Sequence, residues 1–481
     1  MSKPSIALNR FGYGLRYGER PPSDPARYLL AQIDGFDPSP AGISARADMS
    51  AKPGEILQML RQLRRQRRQN ASPQSTQMAP MMESDTAADP FNGLPPEVRQ
   101  SYVKAGQFLS TDVGLRTNVA VTSPTPFAER LVHFWSNHFS VSARKPGTHY
   151  LVGDLEFRAI RPHISGRFSD MLKAAVLHPA MLLYLDQFQS VGPNSPSQQR
   201  RRGRAGGRER GLNENLAREI LELHTLGVDG GYTQADVTEF ARALTGWSVQ
   251  GIARVERFSA PQKSGAAFVA VAHEPGTRQV LGNRYSQADA RQAIAILDDL
   301  ATHPATARFI ATKLARHFAG DTPPTSLVDR LETDFQRTGG DLSSLTQTLI
   351  SAPEVWVEGP VKFRQPYEWF IAMLRLTRID NMNDRRLSGI LRQIGQLPWH
   401  APSPAGYDDI EGIWAGPDAL FRRAELSERI ARSARADDVL GRAEAAFPGA
   451  LSDNTRTWLS RAESGRQGLG LLLISPEMLR R

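Results

Sequence analysis

From Leu212 to Trp247 the chain admits one kind of local structure, two helices joined by a glycine turn. On a helical wheel Leu216, Ala217, Ile220, Leu221 and Leu223 share one side, and Glu214, Asn215, Arg218, Glu219 and Glu222 share the other. Two polar residues, Asn213 and His224, break that split by falling near the middle of the apolar side. The run Val228-Asp-Gly-Gly-Tyr predicts a stop, because glycine takes the left-handed conformation that ends a helix. Thr233 then reads as an N-cap, with Asp236 placed to complete a capping box. Val237, Phe240, Leu244 and Trp247 supply the apolar stripe of the second helix.

The same 3.6-residue periodicity recurs along most of the chain and predicts an essentially all-α fold, a large domain of packed helical hairpins. Residues 1–69 read as an N-terminal helical segment, with the first arginine run on a helix over 55–69. Residues 70–96, rich in Ser, Gln, Met, Pro and Asp, read as a flexible linker, and 97–481 as the main helical domain. Thr125 followed by Pro126 marks a helix start, with threonine as cap and proline pre-set for the first turn. Within the main domain 192–211 is expected to be a flexible Arg-rich loop, and residues near 266–282 a minor β-hairpin with 273–277 as its turn.

Charge and composition exclude several classes. The net charge of +9 is outnumbered by eleven arginines in two runs, Arg61, Arg64, Arg65, Arg67 and Arg68, then Arg200, Arg201, Arg202, Arg204, Arg208 and Arg210. The rest of the chain is therefore close to neutral, and the runs lack the interleaved aromatics of a nucleic-acid groove, so specific nucleic-acid binding is not expected. With no cysteine, thiolate catalysis and cysteine-ligated metals are excluded. No apolar run approaches the roughly 20 residues of a membrane span, and a cytoplasmic protein is the expectation. Phosphate-cradling glycine loops, GxSxG and HExxH are absent, and Asp229–Asp236 is better explained by a capped helix than by a calcium loop.

Two motifs concentrate chemistry. On the helix after Pro126, Arg130, His133 and Asn137 cluster, whereas His138 lies among Leu131, Phe134 and Trp135 on the apolar side. His138 and His224, inward-facing on neighbouring helices, are candidate ligands for a divalent transition metal such as zinc, iron or manganese. Against that, Glu214, Glu219 and Glu222 point away from His224, and a buried imidazole paired with an amide or carbonyl explains the pattern equally. The polar face reads in two ways as well. Glu214–Arg218 and Arg218–Glu222 have the spacing of a solvated ion-pair ladder, while Asn215, Arg218, Glu219 and Glu222 could line a cleft with a raised-pKa glutamate as general base.

The stretch NENLAREILELHTLGVDGGYTQADVTEFARALTGW resembles the signature of a bacterial family known as domain of unknown function 1800. Supporting matches are ALNRFGYG at Ala7–Gly14, HFWSNHFSV at His133–Val141, RPHISGRFSDML at Arg161–Leu172, HPAMLLYLD at His178–Asp186, HPATARFIATKL at His303–Leu314 and the closing LLLISPEM. GYDDIEGIW stands where the family would place a glycine–tryptophan–proline motif. The signature includes the polar positions of the 212–226 helix, so the resemblance implies a site there. It points to an enzyme with a polar, metal-assisted cleft between the 126–139 and 212–226 helices. The alternative it implies is a helical scaffold that binds a partner polypeptide, a member of the family numbered 1501, and that is exported with a signal-bearing partner.

Overall fold

The structure, a computed structural model, describes residues 1–49, 96–203, 211–251, 259–261, 264–380 and 382–481. The expected 55–69 helix with the first arginine run, and all of the expected linker except Pro96, lie outside the described residues.

The fold is predominantly all-α. Many helices begin with proline in the first turn, among them Pro25–Asp34, Pro126–His138, Pro304–Ala319, Pro366–Thr377 and Pro417–Ser433. Proline is favoured there because its missing N–H has no intrahelical acceptor anyway. The two His-Pro-Ala sequences start helices in the same way: His178 and His303 each accept the N–H two residues ahead on Nδ1, at 3.1 Å. Thr125 does not cap with its side chain. The Phe127 N–H instead donates to Gln32 Oε1 at 2.8 Å, so a residue of the Pro25–Asp34 helix caps the next long one. The expected capping box is present, with Thr233 and Asp236 bonded in both directions.

The first helix of the opening hairpin is α-helical only over Asn215–Glu219 and widens to a π-turn over Ile220–His224. Leu216, Ala217, Ile220 and Leu221 are fully buried, as the wheel predicts. The helix over Pro304–Ala319 packs on Thr325–Thr338, and the long Pro96–Thr122 helix on Asp384–Gln393 and Pro366–Thr377. Ile6, Phe11 and Leu29 share one continuous hydrophobic core with residues as distant as Leu473 and Met478.

The β-structure differs from expectation. β1 (Trp247–Val249), β2 (Ser259–Pro261) and β3 (Ala266–Val269) form an antiparallel sheet of order β1-β3-β2, with Trp247 opposite Phe268. β4 (Arg278–Val280) pairs instead with β5 (Asn283–Tyr285). So β3 and β4 are not partners. The segment between them is anchored elsewhere, since Glu274 takes the Asn194 backbone and side-chain N–H groups at 2.7 and 2.6 Å and donates its own N–H to Thr245 Oγ1. The real tight turn is Leu281-Gly282, both with positive φ as a two-residue hairpin of the I′ kind requires. The 192–211 region is also corrected in part: Pro196–Arg202 is a helix capped by Ser195. Arg204, Arg208 and Arg210 lie outside the described residues.

Candidate functional site

A cavity of about 370 Å³ opens between the Pro126–His138, Pro304–Ala319 and Pro366–Thr377 helices, with Tyr13 and the 396–410 loop completing its wall. Asn137 fastens that loop with two hydrogen bonds. Asn137 Nδ2 donates to the Tyr407 carbonyl and Asn137 Oδ1 accepts the Tyr407 N–H, both at 2.8 Å. Gly406 (φ +86°) permits the approach, because a Cβ there would stand 2.5 Å from the Asn137 carbonyl oxygen. Trp399 also holds a positive φ, with its indole N–H on Glu156 at 3.1 Å and the Arg116 guanidinium over its ring. Such strain in a non-glycine residue persists only where its surroundings over-determine it.

Helical geometry explains the richest wall. Phe309, Lys313, Arg316 and His317 follow the spacing of one helix face and all line the cavity. His317 Nδ1 meets Asp409 Oδ2 at 2.8 Å. A carboxylate can only accept, so Nδ1 carries the proton and Nε2 holds a lone pair. Burial lowers the His317 pKa in spite of Asp409, and the ring is neutral. Nε2 is buried without a protein hydrogen-bond partner and stands 3.9 Å from Glu368 Oε1. Asp409 is itself held far below the carboxylate range: burial opposes its charge, but His317 and Lys362 more than compensate.

A second imidazole has the opposite polarity. Tyr13 Oη lies 2.5 Å from His133 Nδ1. Burial raises the Tyr13 pKa, so the phenol keeps its proton and donates it to Nδ1. His133 is neutral, its pKa driven well down by burial and then by Arg116, Arg161 and Arg130. Its proton is therefore on Nε2, the nitrogen left for an occupant of the cavity. One neutral histidine offers a lone pair and the other an N–H.

The remaining charges sort into pairs. Glu368 is buried and binds Arg130 and Arg481, and these hold its carboxyl well below the usual range against the cost of burial. Arg116 binds both oxygens of Glu156 through Nε. Lys313 and Arg316 are the exceptions, for among the described residues neither makes an ion pair. Lys313 Nζ donates to His138 Nδ1 at 3.1 Å, and burial brings its pKa down to about 8.

The residues singled out in the sequence divide three ways. His138 lines the cavity, but both its nitrogens are engaged, Nε2 with the His224 carbonyl at 3.1 Å and Nδ1 with Lys313. His224 is fully buried beside it, ring centroids 6.0 Å apart, with neither ring nitrogen bonded to protein. Among the described residues no group of three His, Cys, Asp or Glu stands where it could hold a metal, and a lysine ammonium on Nδ1 is incompatible with a cation beside it. These two histidines do not fit a divalent metal. Asn213 is occupied structurally, its amide donating to the Leu185 carbonyl at 2.8 Å.

Asn215, Arg218, Glu219 and Glu222 lie outside the cavity, to which their helix contributes Leu223. Glu214 accepts from Thr238 and Gln234, and Arg218 bonds Gln234 and Glu222, an outward network that ties the two hairpin helices together. Glu219 is half-buried, and burial followed by Glu222 raises its pKa. The cleft thus meets the 212–226 helix only at Leu223, and not along the polar face expected to line it. Arg130, His133 and Asn137, which the wheel had grouped, all face it. Lys313, Arg316 and His317 were readable as a basic stripe at helical spacing. Asp409 had no local signal, since it comes from a loop more than ninety residues from His317.

Fold and cavity together define a class: a large helical protein with a ligand-sized cavity in which two of the lining imidazoles, His133 and His317, are neutral and keep a ring nitrogen without a protein hydrogen bond. The chain belongs to the family described as protein of unknown function (DUF1800), whose profile matches residues 6–480. No curated protein and no solved structure matches it. No helix among the described residues is long and apolar enough to cross a membrane.

Proposed function

We propose that this protein is an enzyme working by general acid–base catalysis in the Tyr13–His133–His317–Asp409 cavity. The single observation that carries the reading is the His317 Nε2 lone pair, buried in a ligand-sized cavity without a protein partner while Asp409 fixes the tautomer from behind. In that role Nε2 takes a proton from the substrate or from a water attacking it. The imidazolium so formed is stabilised by Asp409 at 2.8 Å and Glu368 at 3.9 Å. The His133 Nε2–H supplies a hydrogen bond to the oxygen on which negative charge develops.

The test is to incubate the full chain with a bacterial metabolite extract and follow its composition by mass spectrometry, beside His317→Asn. At least one metabolite should be consumed by the parent, with the rate lower by about 10²–10⁴ in the variant. An extract left unchanged by the parent, or changed equally by both proteins, refutes the reading.

A second reading, partner binding, draws on exposed apolar side chains in the stretch that follows the cavity loop: Ile410, Ile413 and Phe421 are 40%, 53% and 64% exposed. The partner implied by the family resemblance, a member of the family numbered 1501, would cover them. Co-purification that is abolished by Ile413→Asp with Phe421→Asp supports it; recovery of the parent chain alone under mild conditions counts against it.

A further inference from the structure

Of the carboxylates that line or back the cavity, Glu368 has Arg130 and Arg481, Asp409 has Lys362 and the His317 N–H, and Glu156 has Arg116, while Asp408 is exposed and makes no ion pair among the described residues. Lys313 and Arg316 remain. They sit one helical turn apart on the Pro304–Ala319 helix, and His317 is the next residue. Lys313 Nζ makes one hydrogen bond, to His138 Nδ1, and lies 5.3 Å from the Phe309 ring centroid. An ammonium has three N–H donors, so two are left for an occupant. The Arg316 Nε–H is buried and has no protein acceptor. Uncompensated cations and unmet donors against a low-dielectric wall are costly unless something negative comes to them.

We infer that Lys313 and Arg316 bind the oxyanion head group, carboxylate or phosphate, of a small organic substrate whose body lies over Trp399 and Tyr407. The inference rests on the acid–base reading of the same cavity and names the substrate class for it. Size supports a metabolite, because about 370 Å³ is near the lower end of the roughly 300–1,000 Å³ range of small-molecule pockets. Position supports it as well. An anion held on Lys313 and Arg316 sets the adjoining carbon framework beside His317, from which a proton is to be removed.

The test uses the full chain and simple anions at constant ionic strength. Calorimetric titrations with phosphate, sulfate and acetate, against chloride as the comparator, are run on the parent and on Lys313→Met, Arg316→Gln and His317→Asn. An oxyanion should bind the parent in preference to chloride, about tenfold or more weaker in the first two variants and unchanged in the third. Acetate binding as well as phosphate identifies a carboxylate substrate; phosphate and sulfate binding alone identify a phosphate or sulfate ester. Equal affinity in the parent and both cation variants, or none above chloride, overturns the inference. Should either cation variant fail to fold, sulfate affinity of the parent from pH 7 to 10 decides. It should fall as Lys313 loses its charge above about 8, with His138, His224, Arg316 and Asp409 as the groups facing it, and a flat profile refutes the site. Because His317→Asn keeps the anion, sulfate binding without any change in a metabolite extract would reject the acid–base reading while leaving the anion site standing.

Discussion

His317 shows how a single side chain acquires a role from its surroundings. Alone, an imidazole beside a carboxylate would gain basicity; here burial outweighs Asp409 and keeps the ring neutral. The sign of the pH dependence follows. The base form is present above the ordinary value of 6.5 and is lost only as pH falls below it, so turnover measured against pH should be flat from 6.5 to about 8, where Lys313 begins to lose its charge, and decline on the acid side. A decline already under way at pH 7.5 would mean that another group is the base. His224 is the contrasting case. Its ring is fully buried with both nitrogens unbonded to protein, which costs stability whether or not the site has a purpose. His224→Leu should therefore be neutral or stabilising by about 1–3 kcal/mol in chemical denaturation. A loss of several kcal/mol would point to an unrecognised partner.

At the scale of elements, the 396–410 loop decides whether the cavity exists. It delivers Trp399, Tyr407 and Asp409, and two hydrogen bonds to Asn137 seat it on the end of the 126–138 helix. Gly406→Ala would put a Cβ against the Asn137 carbonyl in a left-handed conformation that alanine resists. The expected cost is about 1–3 kcal/mol in thermal or chemical unfolding, with slower turnover because Asp409 shifts away from His317 with the loop. The hairpin that opened the sequence has a different task. Its polar face, Glu214, Arg218 and Glu222 with Gln234 and Thr238, fastens helix to helix, and its apolar face fills the core. Half-exposed pairs of this kind are each worth little, so their concentration in the motif reads as registration of two helices.

Across the whole molecule, Glu368 ties distant parts of the chain. Through Arg130 it reaches the Gly12 carbonyl, and through Arg481 the Arg10 carbonyl, joining the first residues, the central helices and the last residue. Glu368→Gln would leave two buried guanidinium groups short of countercharge, at a cost of about 3–5 kcal/mol. The pH dependence has the opposite sense to that of His317. The folded carboxyl is held below its ordinary value of 4.5, so its contribution is complete above that value and disappears as pH falls through the lower folded one. Acid unfolding of the parent should thus be steeper below pH 4.5 than that of Glu368→Gln, and parallel acid-unfolding curves would contradict the assignment.

The helical class, the burial of Leu216, Ala217, Ile220 and Leu221, the Thr233 capping box and the grouping of Arg130, His133 and Asn137 on one helix face followed from the sequence itself. Each depends on side chains three or four residues apart, and such neighbours meet wherever the helix is placed. Strand partners did not follow, because Ala266–Val269 pairs with Trp247–Val249 and not with the strand a few residues on. Nor did the site. His138 and His224 were legible as buried polar residues, but the hydrogen bonds of the His138 ring, to the His224 carbonyl and to Lys313, come from other helices. The His317–Asp409 pair, the Tyr13–His133 pair and the uncompensated charges of Lys313 and Arg316 exist only once segments far apart in the chain are packed together. Local periodicity determines which side chains share a helix face, and tertiary packing alone decides what that face meets.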